Sequence, residues 1–458
     1  MATGRYSMDM TTGSLFPKII SFALPLMLTG LLQIVYNAAD AVIVGRFSGS
    51  LALAAVGATS MLVNLTLNLF LGLSMGSGVV VAKHIGANNT ASVHRTVHSA
   101  MLLSVICGFF IGAVGILVSP FALELMDTPS DVFPLSVTYM RIFFLGTPAS
   151  MIYNFGAAIL RATGDSKRPL YILTATGILN VLLNVIFVVA FKMSVSGVAL
   201  ATVISQLVSA ICILYIFINI NSPINLSVKN LRFYKDELRE IIKIGLPAGL
   251  QSSLFSLSNV IIQSSINSFG AAAIAGNTAS GNIDSVMFTC CNAVSQTATT
   301  FTSQNYGAGK FKRIRSIYFN CLGVNAALSG IFCVLLLCFG PYILSVFSTD
   351  STVIDFGMVR LKLFAVTYIT NSFLDVTTCQ MRGLGKSVIP MIVTLAGVCG
   401  LRVVWVFTVF RHFRTLFMLY FSYPVSWLVT GTVLIIMYAI TFRKIYKRST
   451  DNEASRIG

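Results

Sequence analysis

Three carboxylates stand where carboxylates are expensive: Asp40, Asp284 and Asp375 each fall inside an apolar run. A charge at the centre of a bilayer costs roughly 2.5–3.5 kcal/mol on insertion scales, so such a residue faces protein or water and has a task. A carboxylate there can take up and release a proton or a hard cation. Its blander role is a structural hydrogen bond to a neighbouring helix. In "LQIVYNAADAVIVG", Gln33, Tyr36, Asn37 and Asp40 recur at helical spacing and share one face. A second run, "TGILNVLLNV", repeats Thr176, Asn180 and Asn184 every fourth residue, and a third contributes Thr202. Asp284 shares a face with Asn277 and Gly281. Asp375 shares one with Asn371 and Arg382, and an Asp375–Arg382 pair could be structural or functional. These stripes are expected to line a cleft, with Met61, Met75 and Met287 offering soft apolar contacts.

The elements that would position these residues are helices in a membrane. The 458 residues are 55% hydrophobic and only 10% charged, with mean hydropathy +0.83. Soluble domains carry roughly 25% charged residues. Apolar runs lie near 17–44, 52–82, 94–118, 132–160, 168–190 and 197–220. A second set lies near 241–268, 273–300, 314–340, 353–381, 387–410 and 415–441. At about 20 residues per span these predict twelve transmembrane helices. Between the sets, "NSPINLSVKNLRFYKDELRE" reads as a linker with a short amphipathic surface helix.

The net charge of +16 belongs to short loops rather than to a nucleic-acid surface. Arg5, Lys18, Lys83, Arg161, the linker cluster, Arg382 and the tail "FRKIYKR" crowd one side. Arg46, Lys192 and Arg411 sit on the other, with Arg141, Arg360 and Lys362 near helix ends. A cytoplasmic excess of Lys and Arg then predicts that both termini lie on the cytoplasmic side of the cell membrane. Nine cysteines without a CxxC pair predict neither a disulfide framework nor a metal site. No phosphate loop, HExxH or paired-Asp signature marks an ATPase or an intramembrane enzyme. No cofactor is expected.

The two sets repeat. Pro25 and Pro247 share an offset of 222, as do Asn37 and Asn259. After a one-residue gap the offset becomes 221, pairing Pro120 with Pro341, Arg161 with Arg382, Gly164 with Gly385 and Pro169 with Pro390. The expected fold is an all-α membrane protein of two pseudo-symmetric six-helix lobes. They span 1–220 and 241–458, joined by a cytoplasmic linker at 221–240. Parallel repeats of this kind suit alternating access, with energy from an ion gradient.

The chain also resembles the multidrug and toxic compound extrusion (MATE) family. "SFALPLMLTGLLQIVYNAADAVIVGRFSGSLALAAVG" is similar to its first helix and loop. "VAKHIGANN" with "TSQNYGAGKFKRIR", and "GAAILRATGDSKRPL" with "TCQMRGLGKSVIP", are similar to four later loops. The resemblance implies an antiporter exporting organic cations or other amphiphiles in exchange for H⁺ or Na⁺. The alternative is a lipid flippase of the same superfamily, disfavoured by neutral stripes in which Arg402 is the exceptional buried base. In the archaeal and DinF-like branch, the first-lobe cation site maps onto Asp40, Asn180, Asn184 and Thr202, so Na⁺ could bind at Asp40. Asn184 departs from the pattern, standing where that branch has an acid. In the NorM-like branch, acids on helices seven and ten form a site; here those positions are Phe255 and Asn371. The expected partners are a small-molecule substrate and membrane lipid, and the expected state is a monomer.

A cysteine introduced near Lys235 is expected to react only with reagent on the cytoplasmic side. Labelling from outside would reverse the orientation.

Overall fold

The structure, a computed structural model, describes residues 8–457, apart from the side chains at 61, 65, 257 and 448–457. The readings placed on Arg5 and on the Met61 side chain lie outside the described residues. The first half runs α1 (Leu15–Phe47), α2 (Ser50–Gly86), α3 (Thr90–Leu125), α4 (Phe133–Leu145), α5 (Thr147–Ala162), α6 (Lys167–Asn184) and α7 (Ser194–Asn219). The second runs α8 (Lys235–Asn267), α9 (Ala271–Gly307), α10 (Phe311–Ser345), α11 (Ser351–Gly383), α12 (Val388–Thr394), α13 (Leu401–Phe407), α14 (Val409–His412) and α15 (Leu416–Ile457).

Eight of the described helices are long and apolar enough to cross a membrane, and the bent pair α4–α5 would make a ninth. The expectation of twelve also counts α8, α9 and α11. Their 33, 37 and 33 residues exceed the roughly 20 needed. They are more polar because rows of Ser, Thr, Asn and Gln interrupt them. Many of those hydroxyls bond back to the preceding turn, as Thr297 does to the Ala293 carbonyl at 2.8 Å. Others stitch α9 to α11: Thr302 donates to Gln380 Oε1 at 2.7 Å and Ser303 to the Gly383 carbonyl at 3.1 Å.

The backbone repeats at the offset seen in the sequence. Residues with positive φ recur 221 positions apart: Gly49 with Gly270, Asn88 with Gly309, and Gly164 with Gly385. Each pair marks a helix boundary, and a left-handed residue there costs glycine least. At Gly164 a Cβ would also run into the backbone of Met8. The halves diverge where the sequence does. Gly146 and Pro148 break the fourth run into α4 and α5 with a 48° bend. At the matching offset stand Thr367 and Ile369, and α11 runs unbroken.

The linker differs from expectation. Its only helix is the 3-10 turn Val228–Asn230, and the amphipathic segment "KDELRE" is the opening of α8. Asp236 and Glu237 in the first turn suit the helix dipole, and no breaker separates them from Ile241. Tight contacts hold the linker down. The Ser227 amide donates to His98 Nε2 at 3.0 Å, the Tyr234 amide to Ser99 Oγ at 2.9 Å, and Lys83 pairs with Glu240 at 2.5 Å.

The chain separates into two compact units, residues 1–9 with 24–253 and residues 10–23 with 254–458. In the first, an apolar core including Val80, Met101, Phe155 and Phe217 joins α2, α3, α5 and α7. There α2 and the start of α8 approach so closely that a Cβ on Gly72, Gly76, Gly245 or Gly249 would strike backbone of the opposite helix. Gly249→Leu is therefore expected to remove most of the folded protein, since overpacking already costs ~1–3 kcal/mol where backbone can yield. Gly57→Ala, where a Cβ meets nothing, should leave the yield unchanged or slightly higher. Size-exclusion profiles of the two variants check this; a monodisperse Gly249→Leu would remove the close crossing.

Candidate functional site

The ladder of three polar residues at every fourth position on α6 is where the first unit gathers its polar groups. Thr176, Asn180 and Asn184 are all buried, Asn184 fully. Asn184 is the last α-helical residue before a π-turn at Val185–Ala190. Such wide turns re-aim side chains and recur at functional positions. Asn184 Nδ2 donates to Asp40 Oδ1 at 2.5 Å and to Asn180 Oδ1 at 3.2 Å. Asn180 Nδ2 in turn donates to Thr202 Oγ1 at 3.5 Å. The structure thus brings Asp40, Asn184, Asn180 and Thr202, from α1, α6 and α7, into one hydrogen-bonded chain.

The amide orientations follow from chemistry. An ionised carboxylate only accepts, so Asn184 must show it the amino side. That leaves Asn184 Oδ1 buried with no hydrogen-bond partner among the described residues. The neighbours explain why three helices converge here. Ile43 and Val44 of α1, Val188 after α6, and Val195 and Val198 of α7 form one apolar cluster a turn away. Tyr36 lies against Gly177, where any side chain would collide with its ring, and donates to the Thr174 carbonyl at 3.3 Å. Gln33 and Asn37 are exposed on α1. Ser209 was missed in the sequence. It donates to Thr176 Oγ1 at 2.9 Å, and its spacing from Thr202 and Ser205 on α7 was the available signal.

The second unit holds its acids differently. Asp284 Oδ2 accepts from Arg360 Nε at 2.9 Å and Nη2 at 2.6 Å. Arg360 Nη1 continues to Asn277 Oδ1 at 2.6 Å, which also accepts from Tyr420 Oη at 3.1 Å. Arg360, read from the sequence as a helix-end cation, lies inside α11 and is mostly buried. The pair is overall neutral, and breaking a buried pair typically costs 3–5 kcal/mol. Asp375 accepts a hydrogen bond from Asn371 Nδ2 at 3.0 Å, one turn back on the same helix. Met75 is half-buried, and Met287 is fully buried in the core of its unit rather than available to a ligand.

Arg402 is 0% exposed. Its guanidinium sits 3.8 Å over the Tyr423 ring, with Phe255 and Trp427 at 5.4 and 6.0 Å. Nε donates to Ser426 Oγ at 3.1 Å and Nη1 reaches Asn259 Oδ1 at 3.5 Å. An aromatic box of this kind stabilises a desolvated cation by about 2 kcal/mol. Phe255 supplies a wall of that box.

Known proteins share this architecture. The chain is 29% identical over 360 residues to "Probable multidrug resistance protein YpnP" of Bacillus subtilis, covering 79% of this chain and 80% of that one. It is 25% identical over 441 residues to "Probable multidrug resistance protein YoeA" of the same organism, covering 94% and 95%. A solved MOP superfamily transporter from Pyrococcus furiosus superposes with TM-score 0.91 at 20% identity, over 97% of this chain and 99% of that one. The MatE family model matches twice, at 25–186 and 247–408, with starts separated by the same 222 residues as Pro25 and Pro247. With both halves matched in full register, the chain belongs to the MatE family of multi-pass cell-membrane transporters.

Proposed function

We propose that the protein is a secondary active antiporter that exports organic cations or other amphiphilic small molecules in exchange for H⁺ or Na⁺. Asp40 is its coupling carboxylate. Twelve spans with both termini in the cytoplasm, and alternating access of two six-helix lobes, complete this reading. The names of the multidrug-resistance relatives support the substrate class. The observation that carries the coupling role is the unpartnered Asn184 Oδ1 beside Asp40.

An ionised Asp40 holds the amino side of Asn184 and leaves the amide oxygen unsatisfied. A proton on Asp40 turns the carboxyl into a donor, and the amide can then rotate to accept from it. Na⁺ would achieve the same end by drawing on the Asp40 carboxylate and the side-chain oxygens of Asn180, Asn184 and Thr202. Either loading neutralises the site and weakens its hold on a cationic substrate. Linkage makes the effect mutual, so bound substrate weakens ion binding by the same factor. The membrane potential adds ~2.3 kcal/mol per charge per 100 mV. A flippase for anionic lipid precursors finds less support. Arg360 is neutralised by Asp284, and Arg402 is boxed by aromatics.

Asp40→Asn should fold normally, because the amide fits the same space and removes an expensive charge. It should abolish gradient-driven export of a fluorescent organic cation and flatten the dependence of substrate affinity on pH and Na⁺. Asn184→Asp should retain transport while altering its ion dependence. Both are read in inverted vesicles, with the pH and Na⁺ gradients imposed separately. Near wild-type export by Asp40→Asn would make Asp40 structural.

The acids of the second unit should behave differently. Arg360→Gln strands the buried Asp284 charge and should cost about 3–5 kcal/mol of stability. Arg360→Met with Asp284→Leu should recover much of that loss and keep transport. Thermal unfolding together with transport per folded molecule decides; a stable double variant that cannot transport would bring the pair into the mechanism. Asp375→Asn should lower folded yield more than transport per folded molecule, as expected of a mainly structural carboxylate.

A further inference from the structure

We propose that the second unit carries a binding groove for an anionic diacyl phospholipid, formed between the start of α10 and the end of α15. The groove encloses about 860 Å³. Its α10 wall is a single helical face: Lys312, Arg315, Phe319 and Leu322 follow at spacings of three and four. The α15 wall is another, with Ile435, Ala439, Phe442 and Arg443. Because the helices run in opposite directions here, the beginning of one wall stands beside the end of the other. All three cations therefore gather at one mouth, and the walls become apolar away from it.

That gradient is the amphiphilic pattern of a lipid lying along the helices. The distance from Lys312 to Leu322 is ~15 Å at 1.5 Å per residue, enough for a glycerophosphate head and the upper part of an acyl chain. Lys312, Arg315 and Arg443 are exposed, and none forms an ion pair among the described residues. Three uncompensated cations repel a cationic substrate and attract a phosphodiester. Basic pockets at the membrane interface bind anionic headgroups on the same grounds.

The floor is already built. The Tyr318 and Tyr438 rings lie 4.8 Å apart. The Tyr318 and Thr377 hydroxyls are 2.9 Å apart, and Gln380 Nε2 donates to Tyr438 Oη at 3.5 Å. Fixed rings lose little entropy when an acyl chain settles against them.

The test uses the full-length protein, delipidated in mild detergent and titrated with dioctanoyl-phosphatidylglycerol or dioctanoyl-phosphatidylcholine under native mass spectrometry. Wild type should retain the glycerol lipid over the choline lipid. Lys312→Gln, Arg315→Gln and Arg443→Gln should each lower that preference about fivefold. Lys386→Gln, a basic residue off the groove, should leave it unchanged. Leu322→Trp, which fills the apolar end, should weaken retention of both lipids without altering their ratio. Equal retention by wild type, or an unchanged ratio in all three groove variants, would overturn the proposal. So would displacement by inorganic phosphate, which would indicate a free-anion site, or by ethidium, which would make the groove a port for transported cations.

Discussion

A carboxylate within a membrane-spanning helix needs polar partners, and for half-buried Asp40 the protein supplies the amide of Asn184. This one hydrogen bond makes demands on everything near it. It requires α6 to end its regular turns at Asn184, where the π-turn begins. It requires α1 to lie close enough for Tyr36 to cover Gly177. It also needs an apolar cluster, drawn from α1, α2, α7 and the π-turn, to keep those distances fixed. Asn180 and Thr202 pass the hydrogen bonding along to α7, so the charge is shared by groups that are themselves held.

The two halves keep the same turns but not the same charges. Positive-φ residues recur at one offset through three helix boundaries, because such a backbone conformation costs glycine and asparagine least. Intramembrane charges face no such backbone rule and have diverged. The first unit centres on Asp40 among neutral amides. The second contains a neutralised Asp284–Arg360 pair and an arginine held by aromatic faces. A duplicated scaffold has thus been given two electrostatic characters.

This difference also explains what was legible in the sequence. The α6 ladder, the repeat and the turns were readable because they depend on neighbours three or four residues away, or on a constant offset. The partnership of Arg360 with Asp284 was not. Its members are 76 positions apart, and an arginine inside α11 has the same sequence appearance as one at a loop. The amphipathic linker helix was seen but misplaced, since its acidic first turn joins the apolar run of α8 without a breaker. The Gly146–Pro148 bend was visible as residue types, yet one apolar run continued through it.

The division of the chain has a consequence for how the protein is made. Residues 10–23 emerge from the ribosome long before their partners, which are among the residues of the second unit. The Met10 carbonyl accepts from Asn305 Nδ2 at 3.1 Å, across 295 positions of sequence. Phe22 meets Phe301 edge-on with centroids 5.7 Å apart. The first unit is likewise incomplete until Lys235–Ser253 has been synthesised. Neither unit is formed from one continuous stretch of chain, so the opening segment stays without its contacts until the residues around Asn305 have been made. Contacts of such long separation form slowly and leave apolar surface uncovered meanwhile. The opening segment is thereby a closing clasp, and damage to it should show in biogenesis before it shows in transport.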